Sequence, residues 1–339
     1  MLESQPIEHA PAVVVSASLA YDHIMTFPGS FKEHILPDKA HVLSVSFLVD
    51  SFRRQRGGIA GNIAYNLALL GEPSAVVGTV GTDFAEYRSL LECLGVDTRG
   101  VVTIPDEVTA SCFITTDFDE NQITGFYPGA MARAAEVSVT PAARQARIGV
   151  VGADAPAAMR LHAREFSEAG CPLFYDPSQQ VISLPAEDLI AGIDVAKLVI
   201  GNDYELAMME RKTGLDVRAL AGRVEYVVVT LGERGSELWH QGAPLSIPAA
   251  QAEPLTDPTG GGDAYRAGLI KGLLLELEPP LIGRLASLAA TYAIERHGTQ
   301  EHSYTPLEFV GRFDRAFPDF AGAVSTTMLS TRSAAPAVR

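Results

Sequence analysis

Apolar and polar positions along this chain follow two rhythms that take turns at short intervals. Val13-Val14-Val15 is an unbroken apolar run, which predicts a short buried strand entering Ser16-Ala17-Ser18. The stretch 41–56 is strand-like but mixed, and Gly57-Gly58 breaks it. Residues 61–70 carry apolar positions at helical spacing and are closed by Gly71, so they predict a helix. A strand at 74–80 and a helix at 83–94, ending at Gly95, continue the series. Strand and helix in alternation predict a parallel sheet with helical crossovers.

The runs 109–116 and 122–127 depart from this series. They are joined by Asp117-Phe118-Asp119-Glu120-Asn121, all turn formers but the Phe and Glu, and predict a β-hairpin inserted into the α/β order. Afterwards strands are expected at 147–151, 172–175, 198–201 and 226–231, helices at 156–169 and 204–212, and a β-rich stretch up to 253. Two long helices at 263–277 and 281–296 follow. Past Phe320 the chain is rich in Ala, Ser and Thr, so 321–339 reads as a disordered tail. No internal repeat is found. The expected organisation is one domain over 1–320: a doubly wound α/β core with a mostly parallel sheet flanked by helices, and a small β-sheet lid from about 20–55 and 109–131.

Charge narrows the choice of ligands. Lys and Arg number 26 against 41 Asp and Glu, a net charge of −15. A surface this acidic repels phosphate backbones and anionic lipids, so neither nucleic acid nor membrane is an expected partner. A site for any small anion must then bring local compensation from helix N-termini, backbone N–H groups or a metal ion. No apolar run is long enough to span a membrane, and the start MLESQPIEHAPAVVV lacks the basic region of a signal peptide, so a cytoplasmic protein is expected. Cys93, Cys112 and Cys171 are odd in number and far apart, which fits free thiols rather than a zinc or disulfide set.

The sharpest local signal is Asp257-Pro258-Thr259-Gly260-Gly261-Gly262-Asp263, opening a long apolar helix. Three consecutive glycines leave backbone N–H groups unobstructed at the positive end of a helix dipole, which makes an anion hole. An Asp set against it can take a proton from a hydroxyl while the amides hold the developing negative charge. The alternative is a glycine turn with Asp263 as a helix cap. No GxxxxGK[ST] occurs, so a P-loop is excluded.

The stretch DPTGGGDAYRAGLI resembles the C-terminal signature of the PfkB (ribokinase-like) family of sugar and nucleoside kinases. GGIAGNIAYNLALLG resembles the family's N-terminal signature, Asn202-Asp203-Tyr204-Glu205 its NxxE motif, and Thr230-Leu231-Gly232-Glu233-Arg234-Gly235 its TxGxxG nucleotide loop. The resemblance runs from about 13 to 315 and keeps the family's motif order. It implies a ribokinase-like fold and an ATP- and Mg²⁺-dependent kinase. Asp263 would be the catalytic base and Gly260, Gly261 and Gly262 the anion hole. Asn202 and Glu205 would organise Mg²⁺ through water, the other reading being a helix cap. Thr230, Gly232 and Gly235 would contact ATP, and His297 would border adenine unless it is simply a helix-end histidine. Asp22 would accept hydrogen bonds from vicinal sugar hydroxyls, with Gly58 and Asn62 completing that pocket. The resemblance leaves open a monovalent cation such as K⁺ and a homodimer.

For the acceptor, the run Asn121 to Met131, ending Phe126-Tyr127-Pro128-Gly129-Ala130-Met131, resembles the lid hairpin of prokaryotic nucleoside and adenosine kinases. Phe47, Tyr127 and Met131 are the candidates to hold a nucleobase, or else to form the lid's own core. The expected reaction is transfer of phosphate from ATP to the 5′-hydroxyl of a nucleoside, adenosine first, as in purine salvage. A ribokinase- or fructokinase-type sugar kinase and a non-catalytic nucleotide-binding regulator are the alternatives.

Overall fold

The computed structural model describes residues 11–34 and 45–330. Its thirteen strands are β1 (Val13–Ser16), β2 (Ala20–Thr26), β3 (Ser51–Gly57), β4 (Ala75–Val80), β5 (Asp97–Thr103), β6 (Ala110–Thr116), β7 (Gln122–Tyr127), β8 (Ile148–Val151), β9 (Leu173–Tyr175), β10 (Ala196–Asn202), β11 (Tyr226–Thr230), β12 (Ser236–His240) and β13 (Ala243–Ile247). Nine form one sheet in the order β13-β12-β11-β10-β9-β8-β1-β4-β5. From β11 to β5 every pairing is parallel, and β12 and β13 add an antiparallel edge. Helices cover both faces, so the central strands are buried on both sides; β1 and β4 read VVVS and AVVGTV and are buried throughout.

The chain leaves β1 for β4 on one side and later returns to pair β8 on the other. This reversal of strand order opens a crevice beyond the carboxyl ends of β1 and β8, where ligands bind in such sheets. The long helix Gly261–Leu274 packs against helix Ile59–Leu69 and helix Pro279–Ile294. A buried ion pair, Lys271 Nζ to Glu72 Oε2 at 2.9 Å, ties it to the end of the first of these.

Four strands form a second, small sheet in the order β3-β2-β6-β7. The hairpin expected at 109–127 is there as β6 and β7, paired antiparallel with Cys112 opposite Phe126. β2 bridges it to β3, placing Asp22 between Gln55 and Cys112. The part of the expected strand region at 41–44 lies outside the described residues. Gly58 leaves the small sheet at φ 83°, in the left-handed region, and a Cβ there would lie 2.5 Å from the Ser18 carbonyl oxygen. Only glycine fits that turn.

Some elements were not expected. β5 and the helices Ala186–Asp194 and Pro306–Ala316 are additional. The segment 321–330 is ordered rather than tail-like: helix Thr326–Ser330 buries Leu329, whose carbonyl oxygen lies 1.9 Å from where a Cβ on Gly71 would stand. Two apolar side chains, Val324 and Leu329, dock the segment despite its Ser- and Thr-rich composition. Residues 331–339 lie outside the described part. Among the described residues no helix is long and apolar enough to cross a membrane.

Candidate active site

Helix Gly261–Leu274 begins at Gly260, whose φ of 82° is left-handed. The three glycines serve different ends. Gly260 makes the turn and lies against Thr299; a Cβ on Gly261 would come 2.6 Å from Ile294, and one on Gly262 2.7 Å from Arg266 Nη1. The amides of Gly262 and Asp263 have no acceptor among the described residues. Two free N–H groups at a helix start, unblocked by side chains, make a concavity that can take an anion; Gly261 N is not one of them, donating instead to the Pro258 carbonyl oxygen at 3.3 Å.

Asp263 stands in the first turn, almost buried. Asn62 Nδ2 donates to its Oδ2 at 2.8 Å. Arg266, one turn along, brings Nη1 to 3.9 Å from Asp263 Oδ1. Burial pushes the Asp263 carboxyl up to about 6, against the opposing pull of Arg266 and the Asn62 hydrogen bond. A carboxylate tuned toward neutrality is suited to accept a proton near physiological pH.

Arg266 is itself held from behind. Its Nη2 donates to Asp176 Oδ1 at 2.8 Å and its Nε also contacts Asp176, which is fully buried in the loop after β9. Arg266 is thus a cation set among three carboxylates, Asp176, Asp263 and Glu205. The Glu205 carboxyl is raised by burial, with Arg266 acting to lower it.

Asp22 faces the same cleft. A Cβ on Gly57 would lie 2.5 Å from Asp22 Oδ2, so the first of the twin glycines makes room for this carboxylate. Burial, and then the nearby Asp257, raise Asp22 to about 6. The cleft, about 290 Å³, is lined by Asp22, Gly58, Asn62, Asp263, Cys112 and Phe126, among others. We expect Gly57→Ala to displace the Asp22 carboxylate and raise the acceptor KM about tenfold with kcat less affected, a loss of uniform binding; steady-state kinetics with saturating ATP would check this.

The three proposed base-binding residues are not among those lining this cleft. Tyr127 pairs with Ser111 on the face of the small sheet opposite to Asp22, and its hydroxyl reaches Glu107 Oε2 at 3.4 Å. Strand alternation turns the adjacent Phe126 inward instead. Met131 is buried with Ala20 and Ala110 beneath the sheet. Phe47 joins an aromatic cluster with Phe27 and Phe31, at ring separations of 5.0 and 4.8 Å. Phe126 and Cys112 line the cleft instead. The signal was available: Phe126 is in register with Asp22, but only through two strand pairings.

Farther along the sheet, Asn202 and Thr230 end neighbouring strands β10 and β11 and are paired in register. Gly232 and Gly235 lie in the turn that follows, both with left-handed φ; a Cβ on Gly235 would lie 2.0 Å from the Ile247 carbonyl oxygen. Asn202 and Glu205 form a reciprocal cap, Glu205 N to Asn202 Oδ1 and Asn202 N to Glu205 Oε2, both at 2.8 Å. The cap reading of this pair therefore holds. The remaining Glu205 oxygen, Oε1, is 3.4 Å from Ser178 Oγ, and Ser178 has a φ of 47° that is uncommon outside glycine. His297 follows helix Pro279–Ile294 and is exposed; Gly298 N, next to it, donates to Asp257 Oδ2 at 3.2 Å. Ser178, Gln179, Asp176 and Arg266 complete the surroundings of Asp263.

A doubly wound sheet, a carboxylate at a glycine-lined helix start and a second carboxylate under a small sheet define a phosphotransferase of the ribokinase-like fold. Residues 19–306 match the pfkB family carbohydrate kinase, and the chain belongs to this family of ATP-dependent kinases. It is 34% identical over 275 residues to the nucleoside kinase of Methanothermobacter thermautotrophicus, covering 80% of this chain and 88% of that one. The Burkholderia thailandensis nucleoside kinase in complex with inosine superposes with a TM-score of 0.82 and 38% identity, over 91% of this chain and 98% of that one. The adenosine kinase from Sinorhizobium meliloti shares the fold, with a TM-score of 0.69 at 22% identity over 86% of this chain and 96% of that one.

Proposed function

We propose that this kinase transfers phosphate from ATP to the 5′-hydroxyl of purine ribonucleosides, adenosine among them, with Asp263 as the base. The observation that carries this reading is one cleft shared by Asp22, Asn62 and Asp263, with Phe126 of the small sheet on its wall. Asp22 can accept both hydroxyls of a ribose diol. That binding would hold the far end of the sugar toward Asp263, and an aromatic wall suits a flat base. The similarity to nucleoside kinases, one of them with inosine bound, supports the same acceptor class.

Asp263 accepts the 5′-hydroxyl proton as the oxygen attacks the terminal phosphorus and the bond from that phosphorus to the bridging oxygen breaks, with ADP as the leaving group. The free amides of Gly262 and Asp263 face the transferring group and hold its charge. Thr230, Gly232 and Gly235 border the nucleotide side. Among the described residues there is no group of three metal-ligating side chains. Glu205, its Oε2 occupied by the cap, has Oε1 left to hold a water of Mg²⁺, an ion that keeps several waters and takes its other ligands from phosphate. Mg²⁺ neutralises phosphate charge when bound.

The small sheet serves as a lid that keeps water from the transferring group. A panel of acceptors read by ADP release tests the assignment. Adenosine and inosine should exceed ribose and fructose by at least ~100-fold in kcat/KM. Equal or faster phosphorylation of ribose or fructose would overturn the nucleoside reading and leave the kinase standing.

A further inference from the structure

A chain of buried hydrogen bonds runs from the base Asp263 to the root of the small sheet. Asn62 Nδ2 donates to Asp263 Oδ2 at 2.8 Å, and Asn62 Oδ1 accepts from Gln300 Nε2 at 2.9 Å. The same Gln300 nitrogen contacts the Tyr87 hydroxyl, which donates to the Gly57 carbonyl oxygen at 3.0 Å. Asn62, Gln300 and Tyr87 are all buried. Gly61 clears the path, since a Cβ there would lie 1.8 Å from the Tyr87 hydroxyl oxygen.

The direction of every bond in this chain is forced from its ends. The Gly57 carbonyl can only accept, so Tyr87 spends its single proton there. The Tyr87 oxygen must then accept, and the group facing it must donate. Gln300 presents its NH₂, whose second proton goes to Asn62 Oδ1. That leaves the Asn62 NH₂ facing Asp263, whose ionised carboxylate can also only accept. A group with two N–H bonds on one nitrogen is what the middle position requires. Gln300 serves at a cost, because its own Oε1 is buried and unpartnered among the described residues, a penalty that an apolar residue of the same length would avoid.

We propose that Gln300 is a positioning residue for phosphoryl transfer: it fixes the orientation of the Asn62 amide toward Asp263 and, through Tyr87, registers that orientation against Gly57 at the end of β3. The segment that carries it also grips the sheet directly, Thr299 Oγ1 donating to the Arg56 carbonyl oxygen at 2.9 Å while Thr299 packs on Gly260. The base, the anion hole and the lid root are thereby set by one short stretch. This rests on Asp263 acting as the base.

Gln300→Glu tests the polarity with little change of shape. A carboxylate can only accept, so Tyr87 must turn its proton from the Gly57 carbonyl to residue 300, and Asn62 turns its NH₂ toward residue 300 and its carbonyl toward Asp263. The acid limb of kcat should then move up by about one pH unit, with kcat at neutral pH down at least about tenfold. Gln300→Met removes both bonds and should shift the limb in the same direction by less. A ¹³C-carboxyl NMR titration of Asp-labelled protein, with the Asp263 signal assigned through Asp263→Asn, reads the same shift without turnover. Both folded variants keeping the wild-type titration of Asp263 would overturn the proposal. A wild type that fails to phosphorylate nucleosides, yet shows the shifted titration in Gln300→Glu, would sink the functional reading and leave the positioning role intact.

Discussion

Asp263→Asn should lower kcat by at least ~100-fold and leave ATP affinity nearly unchanged, the scale of a lost general base. The substitution keeps the size of the side chain and can keep a hydrogen bond to Asn62, so the helix start and its free amides are preserved. What is removed is the acceptor for the hydroxyl proton. The residual rate would come from the backbone amides of positions 262 and 263, which the substitution leaves in place, and from the alignment of the two substrates. The wild type carries a second mark of this residue. Asp263 is raised to about 6 by burial, so kcat should fall as the pH drops through about 6 and the base fills with a proton. In Asp263→Asn that limb should vanish. A variant with near-normal kcat and an unchanged acid limb would remove Asp263 from the chemistry.

Arg266→Met should be the most damaging substitution for the fold of the site. The guanidinium is the only partner of the Asp176 carboxylate within hydrogen-bonding or ion-pairing distance among the described residues, and Asp176 is fully buried. Removing one member of such a pair strands the other charge, at a cost of about 3–5 kcal/mol. Arg266→Met/Asp176→Leu should recover most of that stability, because it leaves no unpaired charge. It should not recover activity. Asp263 and Glu205 lose the cation that opposes their protonation, so the base stays protonated to higher pH. Chemical denaturation of both variants, set beside their pH–rate profiles, separates the two effects. A single variant as stable as wild type would show that Asp176 finds another partner, and a fully active double variant would show that the cation is dispensable.

The α/β order, the hairpin and the anion hole are legible in the chain because each is a local pattern. Period and punctuation suffice for 61–70 or for the glycines before Asp263. The ion pair of Asp176 with Arg266 spans 90 positions, and Gln300 meets Asn62 across 238. No periodicity announces such meetings. Phe126 and Tyr127 show a subtler limit. Both are aromatic neighbours in one strand, and strand alternation says that one faces the cleft and the other faces away. Which is which depends on the register of β6 against β2 and of β7 against β6, fixed by pairings far apart in the chain. The segment 321–330 departs from expectation for a related reason: its composition suggests disorder, while two side chains are enough to dock it.

Among the described residues β7 has one partner, β6, and all six of its residues are exposed. Its other side has no strand partner among the described residues, a template beside Ile123 and Tyr127 on which the same strand of another copy could add itself. A net charge of −15 works against that encounter. Two approaching copies repel before their edges can align, over a distance set by the Debye length of about 8 Å at physiological ionic strength. Concentrated salt shortens that reach, and a pH near the isoelectric point of about 4.9 abolishes the charge itself. The acidity that makes an anionic substrate hard to bind therefore also works against pairing at this strand edge.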